Sequence, residues 1–231
     1  MSFTVDDVQS RVAAVVDQDE DTENISSTDY SLRLKYINRR ERKWAEVGKW
    51  PSLYKEYNCV ASTSTGNTSV ALPNDFRRIA SSPKITYDGA TTAVFDEIRP
   101  QEEARFDKSS ERYVKILGNE HDGFTMVVNL ATSTGLMTSG ASIKLHYFST
   151  PSAHASPANS VYCPNPDYLV QGVIADVWEA REDARFQQAK AEANLILQNM
   201  LEFEFTPSEA AYDRNVRSID QSRHNFRWGR D

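Results

Sequence analysis

The spacing of the apolar residues changes twice along the chain, and this constrains the fold more than any other feature. Near the start, apolar residues recur every three or four positions, as at Val5, Val8 and Val12. From about residue 54 to residue 148, apolar and polar residues alternate, and the helical spacing returns from about residue 167. A period of 3.6 predicts amphipathic helices, and a period of 2 predicts half-buried strands. We therefore expect a β region inserted between helical segments.

Capping signals predict where the helices begin. Thr4 with Asp7 three residues later is typical of a capping box, and Ser27 or Thr28 is the expected cap of a second helix over 29–46. On that helix, the apolar face is assigned to Tyr30, Leu34, Ile37 and Trp44, and the other faces to Arg33, Arg39, Arg40 and Arg42.

A third helical segment is predicted to begin at Asn165 as cap, with Pro166 in its first turn, and to run to about Phe203. Its middle, residues 181–188, has almost no apolar side chains. The pattern is compatible with one continuous helix or with a break near Glu182 that makes two helices.

The predicted fold class is α+β. It consists of a helical bundle, formed by N-terminal helices and long C-terminal helices, with an inserted antiparallel β domain and an extended C-terminal arm. A hairpin is expected where Gly118 and Gly123 bound a loop between two alternating segments. The expected domains are residues 1–53 with 163–205 for the helical part, 54–162 for the β domain and 206–231 for the arm.

Charge and composition exclude several classes of protein. Residues 1–30 have a net charge of −7, equal to that of the whole chain, which argues against DNA binding by this segment. No run of about 18 apolar residues predicts a membrane span, and the first residues do not resemble a secretory signal. Two cysteines are too few for a disulfide scaffold, so we expect an intracellular, reducing site of assembly.

The sequence predicts no catalytic, cofactor-binding or metal-binding residues. Cys163 with His154 and Asp167 is the one conceivable nucleophilic group, but no known sequence context surrounds it. The run 120–122 (Glu-His-Asp) is expected to be a solvated turn and not a metal site, since other histidines do not stand at ligand spacing. No glycine-rich loop with a lysine predicts a phosphate site.

The last segment combines arginine and aromatic residues and has a net charge of only about +1. Arginine and tryptophan are enriched at the energetic centres of protein interfaces, so we favour protein docking over a disordered tail or a nucleic-acid-binding tail. The candidate docking residues are Arg214, Arg217, Arg223, Phe226, Arg227, Trp228 and Arg230.

Four segments together resemble the head–tail adaptor (connector, or head completion) proteins of tailed bacteriophages, especially the short-tailed type. They are YINRRERKWAEVGKWPSLYKEY (36–57), the turn LPNDF (72–76), the helix entered through CPNPDYLVQGVIADVWE (163–179) with its continuation over 188–205, and the arginine-rich tail. Many adaptors of long-tailed phages are short and nearly all helical, and this chain departs from them by its inserted β region.

This resemblance implies a non-enzymatic structural protein of the virion neck, assembled in the host cytoplasm. Such proteins form a ring, typically of twelve copies, that joins the portal to a tail or nozzle protein. DNA passes through the ring without specific binding, and no membrane is involved. The helical part is expected to build the ring, the arm to dock onto the portal, and the β domain to face outward or towards the tail. The acidic segment 1–30 then lines the lumen or faces outward.

Two other functions remain open from the sequence. One is a different tail-side virion protein, such as a tail-completion or tail-tube protein. The other is a soluble enzyme, which requires a polar pocket, or a carbohydrate-binding module, which requires exposed aromatic residues on one sheet face. Tyr87, Tyr113 and Tyr147 are the candidates, although we expect them in the core or at a strand edge.

Overall fold

The computed structural model describes residues 3–18, 25–60, 67–80, 85–88, 93–106, 111–129 and 142–204. These residues fall into two compact units. One contains the chain up to Gly48 and again from Ala153, and the other contains Lys49 to Ser152. The first is helical and the second is built from β-strands, so the predicted α+β class is confirmed.

The described residues of the helical unit form four helices: α1 (Val5–Val16), α2 (Ser27–Val47), α3 (Pro166–Ala180) and α4 (Phe186–Glu204). The predicted capping box of α1 is present, since the Thr4 side chain accepts from the Asp7 N–H and Asp7 accepts from the Thr4 N–H. Asn165 caps α3, as expected. The predicted cap of α2 is wrong by one residue, because Ser26 caps it by accepting from the Asp29 N–H.

The last helical segment is broken, which settles the alternative left open by the sequence. Glu182 adopts a φ of 56°, a left-handed conformation that ends a helix. The Asp183 N–H then donates to the Trp178 carbonyl at 2.9 Å. The guanidinium of Arg185 lies 4.5 Å from the centre of the Trp178 ring, so the corner is packed. α3 and α4 consequently pack against each other.

The described residues of the β unit form two sheets. The strands are β1 (Tyr54–Val60), β2 (Asn67–Ala71), β3 (Phe76–Ile79), β4 (Ile85–Asp88), β5 (Ala93–Val94), β6 (Asp96–Glu97), β7 (Tyr113–Asn119), β8 (Gly123–Asn129) and β9 (Ser142–Ser149). One sheet has the order β1-β9-β4-β5 with β3 also paired to β9, and the other has the order β2-β8-β7-β6. All pairings are antiparallel except β6 with β7, which are parallel.

Residues from both sheets form one hydrophobic core. Ile85 and Leu145 of the first sheet and Val114 and Met126 of the second are completely buried in it. The predicted hairpin is confirmed as β7–β8. Its turn requires glycine at 118, where φ is +103° and a Cβ would lie 2.1 Å from the Gly123 carbonyl oxygen.

Each described helix is either too short or too polar to cross a bilayer.

Candidate interaction surfaces and buried ion pairs

The predicted docking residues lie in the segment 206–231, outside the described residues. Their roles therefore stay predictions. The residues concerned are Arg214, Arg217, Arg223, Phe226, Arg227, Trp228 and Arg230.

The three residues of the conceivable nucleophilic group each have a different partner. The Cys163 thiol donates to the Asn165 carbonyl at 3.3 Å, and burial raises its pKa to about 12. The His154 Nε2 lies 2.7 Å from the Glu41 Oε2, and the Asp167 carboxylate accepts from the Arg11 guanidinium at 2.6 Å. A thiol with such a raised pKa is protonated at neutral pH and is a poor nucleophile.

The run 120–122 lies in the exposed turn of the β7–β8 hairpin. The Asn119 side chain organises this turn, since its Oδ1 accepts from the His121 N–H at 2.8 Å and from the Asp122 N–H at 2.9 Å. In the part of the chain that the structure describes, no group of three or more histidine, cysteine or acidic residues is placed to hold a metal ion.

Two of the three tyrosines considered for sugar binding are core residues, as expected. Tyr113 is 1% exposed and Tyr147 is 4% exposed. The Tyr147 hydroxyl donates to Asp75 Oδ1 at 3.0 Å, while Asp75 Oδ2 accepts from Lys55 at 2.6 Å. Through these contacts of Asp75, the turn LPNDF stabilises the β unit. The side chain of Tyr87 lies outside the described set.

The helical unit holds charged side chains in its interior. Arg33 and Arg40 were assigned to faces of α2 other than the apolar face, but they are only 2% and 4% exposed and belong to its buried side. Arg33 pairs with Asp17 at the end of α1, and Asp17 also contacts Arg181 at the end of α3, at 3.4 Å. Burial is tolerated because each of these charges has a partner of opposite sign.

Arg40 binds Asp176 of α3 through two hydrogen bonds, from Nε at 2.8 Å and from Nη2 at 2.6 Å. Burial opposes the charge on Arg40, but the contacts with Asp176 outweigh it and raise the pKa of Arg40. Gly172 lies one turn before Asp176, and a Cβ there would lie 2.9 Å from the Arg40 Cδ. The small residue at 172 therefore makes room for the arginine.

A second buried pair fixes the chain that leads into α3. Glu41 accepts from His154 through one carboxylate oxygen and from the Tyr162 N–H, at 2.7 Å, through the other. Asn38, one turn earlier on α2, exchanges two hydrogen bonds with the His154 backbone. One signal in the sequence could have revealed the Arg40 pair, because Asp176 is the one polar residue in the run Val173–Trp178 of α3.

The outer surface of α4 is the clearest candidate for contact with another protein. Leu195 is 57% exposed and Phe203 is 89% exposed. Leu195 also borders a groove of about 430 Å³, together with Val170 and Ile196. The Arg11–Asp167 ion pair lines the same groove. Val170, Leu195 and Ile196 give the groove a contiguous apolar lining, and such patches are candidate interaction surfaces.

Comparison with known proteins identifies the family. A family model described as SU10 adaptor protein matches residues 3–221, which is nearly the whole chain and includes both units. No curated protein matches it significantly. The chain belongs to the SU10 adaptor protein family, a family of phage head–tail adaptors.

Proposed function

We propose that this protein forms an oligomeric ring in the neck of the virion, where it joins the portal to the tail and extends the DNA channel. The observation that carries this proposal is the family match over residues 3–221. The resemblance of the four sequence segments to adaptors of short-tailed phages supports the same function and favours that tail type. It also implies twelve copies per ring and assembly in the host cytoplasm.

The helical unit is the proposed ring-forming part. Leu195 and Phe203 of α4 are exposed in the single chain, and the groove beside Leu195 adds apolar surface. Stable interfaces between protein chains bury roughly 800 Å² per partner. A neighbouring copy packed against α4 would cover these side chains and contribute to an interface of this kind.

The arm over 206–231 is the proposed portal-docking element. It brings five arginines and two aromatic residues, Phe226 and Trp228, into 17 positions, while four acidic residues keep its net charge near +1. Such a segment can place arginine and tryptophan in pockets of a partner without strong attraction to DNA. The β unit is proposed to face outward or towards the tail or nozzle protein.

The experiment is co-sedimentation with the portal ring encoded by the same genome. The full chain is compared with a chain that ends at Phe205 and with the double variant F226A/W228A. A Tyr212→Ala variant is the matched control, because it removes an aromatic residue before the candidate docking set. We expect the full chain and Tyr212→Ala to sediment with the portal and the other two to remain in the supernatant.

Far-ultraviolet circular dichroism of each chain confirms that it is folded before sedimentation is compared. If the full chain is folded and stays in the supernatant with the portal, the adaptor function at the portal is contradicted. Binding of the same chain to a tail component would then favour a tail-side virion protein. If the truncated chain binds as well as the full one, the role of the arm is contradicted.

A further inference from the structure

One exposed face of α2 carries a row of positive charges, although the protein as a whole is acidic. Lys35, Arg39, Arg42 and Lys43 are all exposed. At 100° per residue, these four side chains project within about 100° of one another. We call them the α2 cationic stripe. Glu46 is the one acidic residue of α2 that is exposed on the same face.

Three other charged residues of α2 are buried inside the unit. Arg33 and Arg40 pair with Asp17 and Asp176, and Glu41 pairs with His154. The α2 cationic stripe differs from them because its four side chains are exposed. Among the described residues, no acidic side chain forms an ion pair with Lys35, Arg42 or Lys43.

Arg39 is the exception within the stripe, because its Nη2 donates to Asp176 Oδ1 at 2.7 Å. Its side chain is nevertheless 63% exposed, so part of the guanidinium still faces solvent. The guanidinium also lies 5.7 Å from the centre of the Tyr36 ring. These contacts fix Arg39 in the middle of the stripe.

The composition of the stripe indicates which polyanion it fits. Interfaces between proteins are enriched in aromatic residues and depleted in lysine at their centres. The stripe has two lysines, two arginines and no aromatic residue. Contacts to nucleic-acid phosphates are made by such lysine and arginine side chains without any apolar anchor. The chemistry therefore favours a phosphate backbone over an acidic protein surface.

We propose that the α2 cationic stripe contacts the phosphate backbone of double-stranded DNA without reading its sequence. The inference rests on the proposed function, which brings DNA to the chain. The stripe spans eight residue steps, or about 12 Å along the helix. Phosphates of one strand follow at about 3.4 Å along the duplex axis, so the stripe can lie beside about three or four of them.

The test is fluorescence anisotropy of the full chain with two labelled duplexes of unrelated sequence, measured over a range of salt concentrations. We expect equal affinity for both duplexes and a log–log salt slope of about −3, as for three or four phosphate contacts. The triple variant K35Q/R42Q/K43Q leaves Arg39 in its contact with Asp176. It is expected to weaken binding at least about tenfold and to reduce the slope by about 2 to 3.

The triple variant R11Q/R181Q/K190Q is the matched control. It removes the same amount of charge from the same unit, at side chains that are 47%, 47% and 46% exposed. We expect its affinity to stay within about twofold of the unmodified chain. Equal losses in both triple variants would show a net-charge effect and overturn the proposal, as would a lack of measurable binding to either duplex at low salt.

Polyglutamate is the probe for the competing class of ligand, an acidic protein surface. If it binds the stripe more tightly than DNA at equal charge concentration, the stripe is a surface for an acidic protein and the DNA proposal is overturned. Portal co-sedimentation of K35Q/R42Q/K43Q separates the two proposals. If the protein binds the portal but shows no stripe-dependent DNA binding, only the proposed DNA contact of the stripe is rejected. If it shows stripe-dependent DNA binding but does not bind the portal, only the adaptor function is rejected.

Discussion

Arg40 of α2 and Asp176 of α3 join two helices that are 136 residues apart in sequence, through paired hydrogen bonds of 2.8 and 2.6 Å in the interior of the helical unit. Arg39 contacts the same carboxylate from the solvent side. The β unit lies between α2 and α3 in the sequence, so this pair closes the helical unit across the insertion.

Replacing Arg40 by alanine should strongly destabilise the protein. The change leaves Asp176 buried without its main partner, and breaking a buried pair in this way costs about 3–5 kcal/mol. Arg39→Ala is the control, because its side chain is 63% exposed and its contribution should be below about 1 kcal/mol. Urea unfolding measures the free energy of unfolding of both variants. Equal losses of stability would contradict a dominant role for the Arg40–Asp176 pair.

The Gly172→Ala variant tests how tightly this pair is packed. The new methyl group would lie 2.9 Å from the Arg40 Cδ, and overpacking costs about 1–3 kcal/mol. Alanine favours a helix over glycine by about 1 kcal/mol, so a small net loss of stability is expected. In an Arg40→Ala background the methyl group has room, and Gly172→Ala should become stabilising. A double-mutant cycle with no coupling between the two changes would contradict the contact.

Stability should fall between about pH 9 and pH 12, partly through Cys163. Burial raises the pKa of its thiol from 9.0 to about 12, so the folded state favours the neutral form. The contribution is complete below the pKa of the unfolded thiol and is lost as the pH rises through the folded pKa. The free energy of unfolding of Cys163→Ala should therefore decline less steeply over this range. Parallel curves for the two proteins would contradict the assignment.

Two tyrosines also contribute to the loss of stability at high pH. Burial raises the pKa of Tyr168 to about 12, and burial with the hydrogen bond to Asp75 does the same for Tyr147. They add to the alkaline loss in both proteins. The difference between the two curves therefore reports the Cys163 thiol together with its effect on Tyr168, whose pKa Cys163 helps to raise.

In the β unit, Asp75→Ala should cost about 1–3 kcal/mol, because it leaves the Tyr147 hydroxyl without its acceptor. Lys55→Ala removes the other partner of Asp75, but the Lys55 side chain is 52% exposed and its loss should cost less than about 1 kcal/mol. Thermal unfolding of the Asp75→Ala and Lys55→Ala variants measures the two losses of stability. A cycle combining Asp75→Ala with Tyr147→Phe should show coupling, and strict additivity would contradict the bond.

Local signals allowed most helices and the hairpin to be predicted from the sequence. The Thr4 capping box, the Asn165–Pro166 helix start and the glycines at 118 and 123 each act within a few residues. The break after α3 was left open, because it depends on Glu182 adopting a left-handed conformation for which no glycine is present.

Long-range contacts were missed for a physical reason. An arginine on a helix is by default a solvated residue, and only the fold brings Asp17 to Arg33 and Asp176 to Arg40. The parallel pairing of β6 with β7 likewise has no local signature. The docking residues of the arm, such as Arg227 and Trp228, stay predictions from composition.

The most direct measurement is a cryo-electron microscopy reconstruction of this protein bound to its portal. We expect a ring of twelve copies, coaxial with the portal, with Phe226 and Trp228 in contact with portal residues and α4 against a neighbouring copy. A ring seated away from the portal, or single copies bound without contact between helical units, would contradict the account.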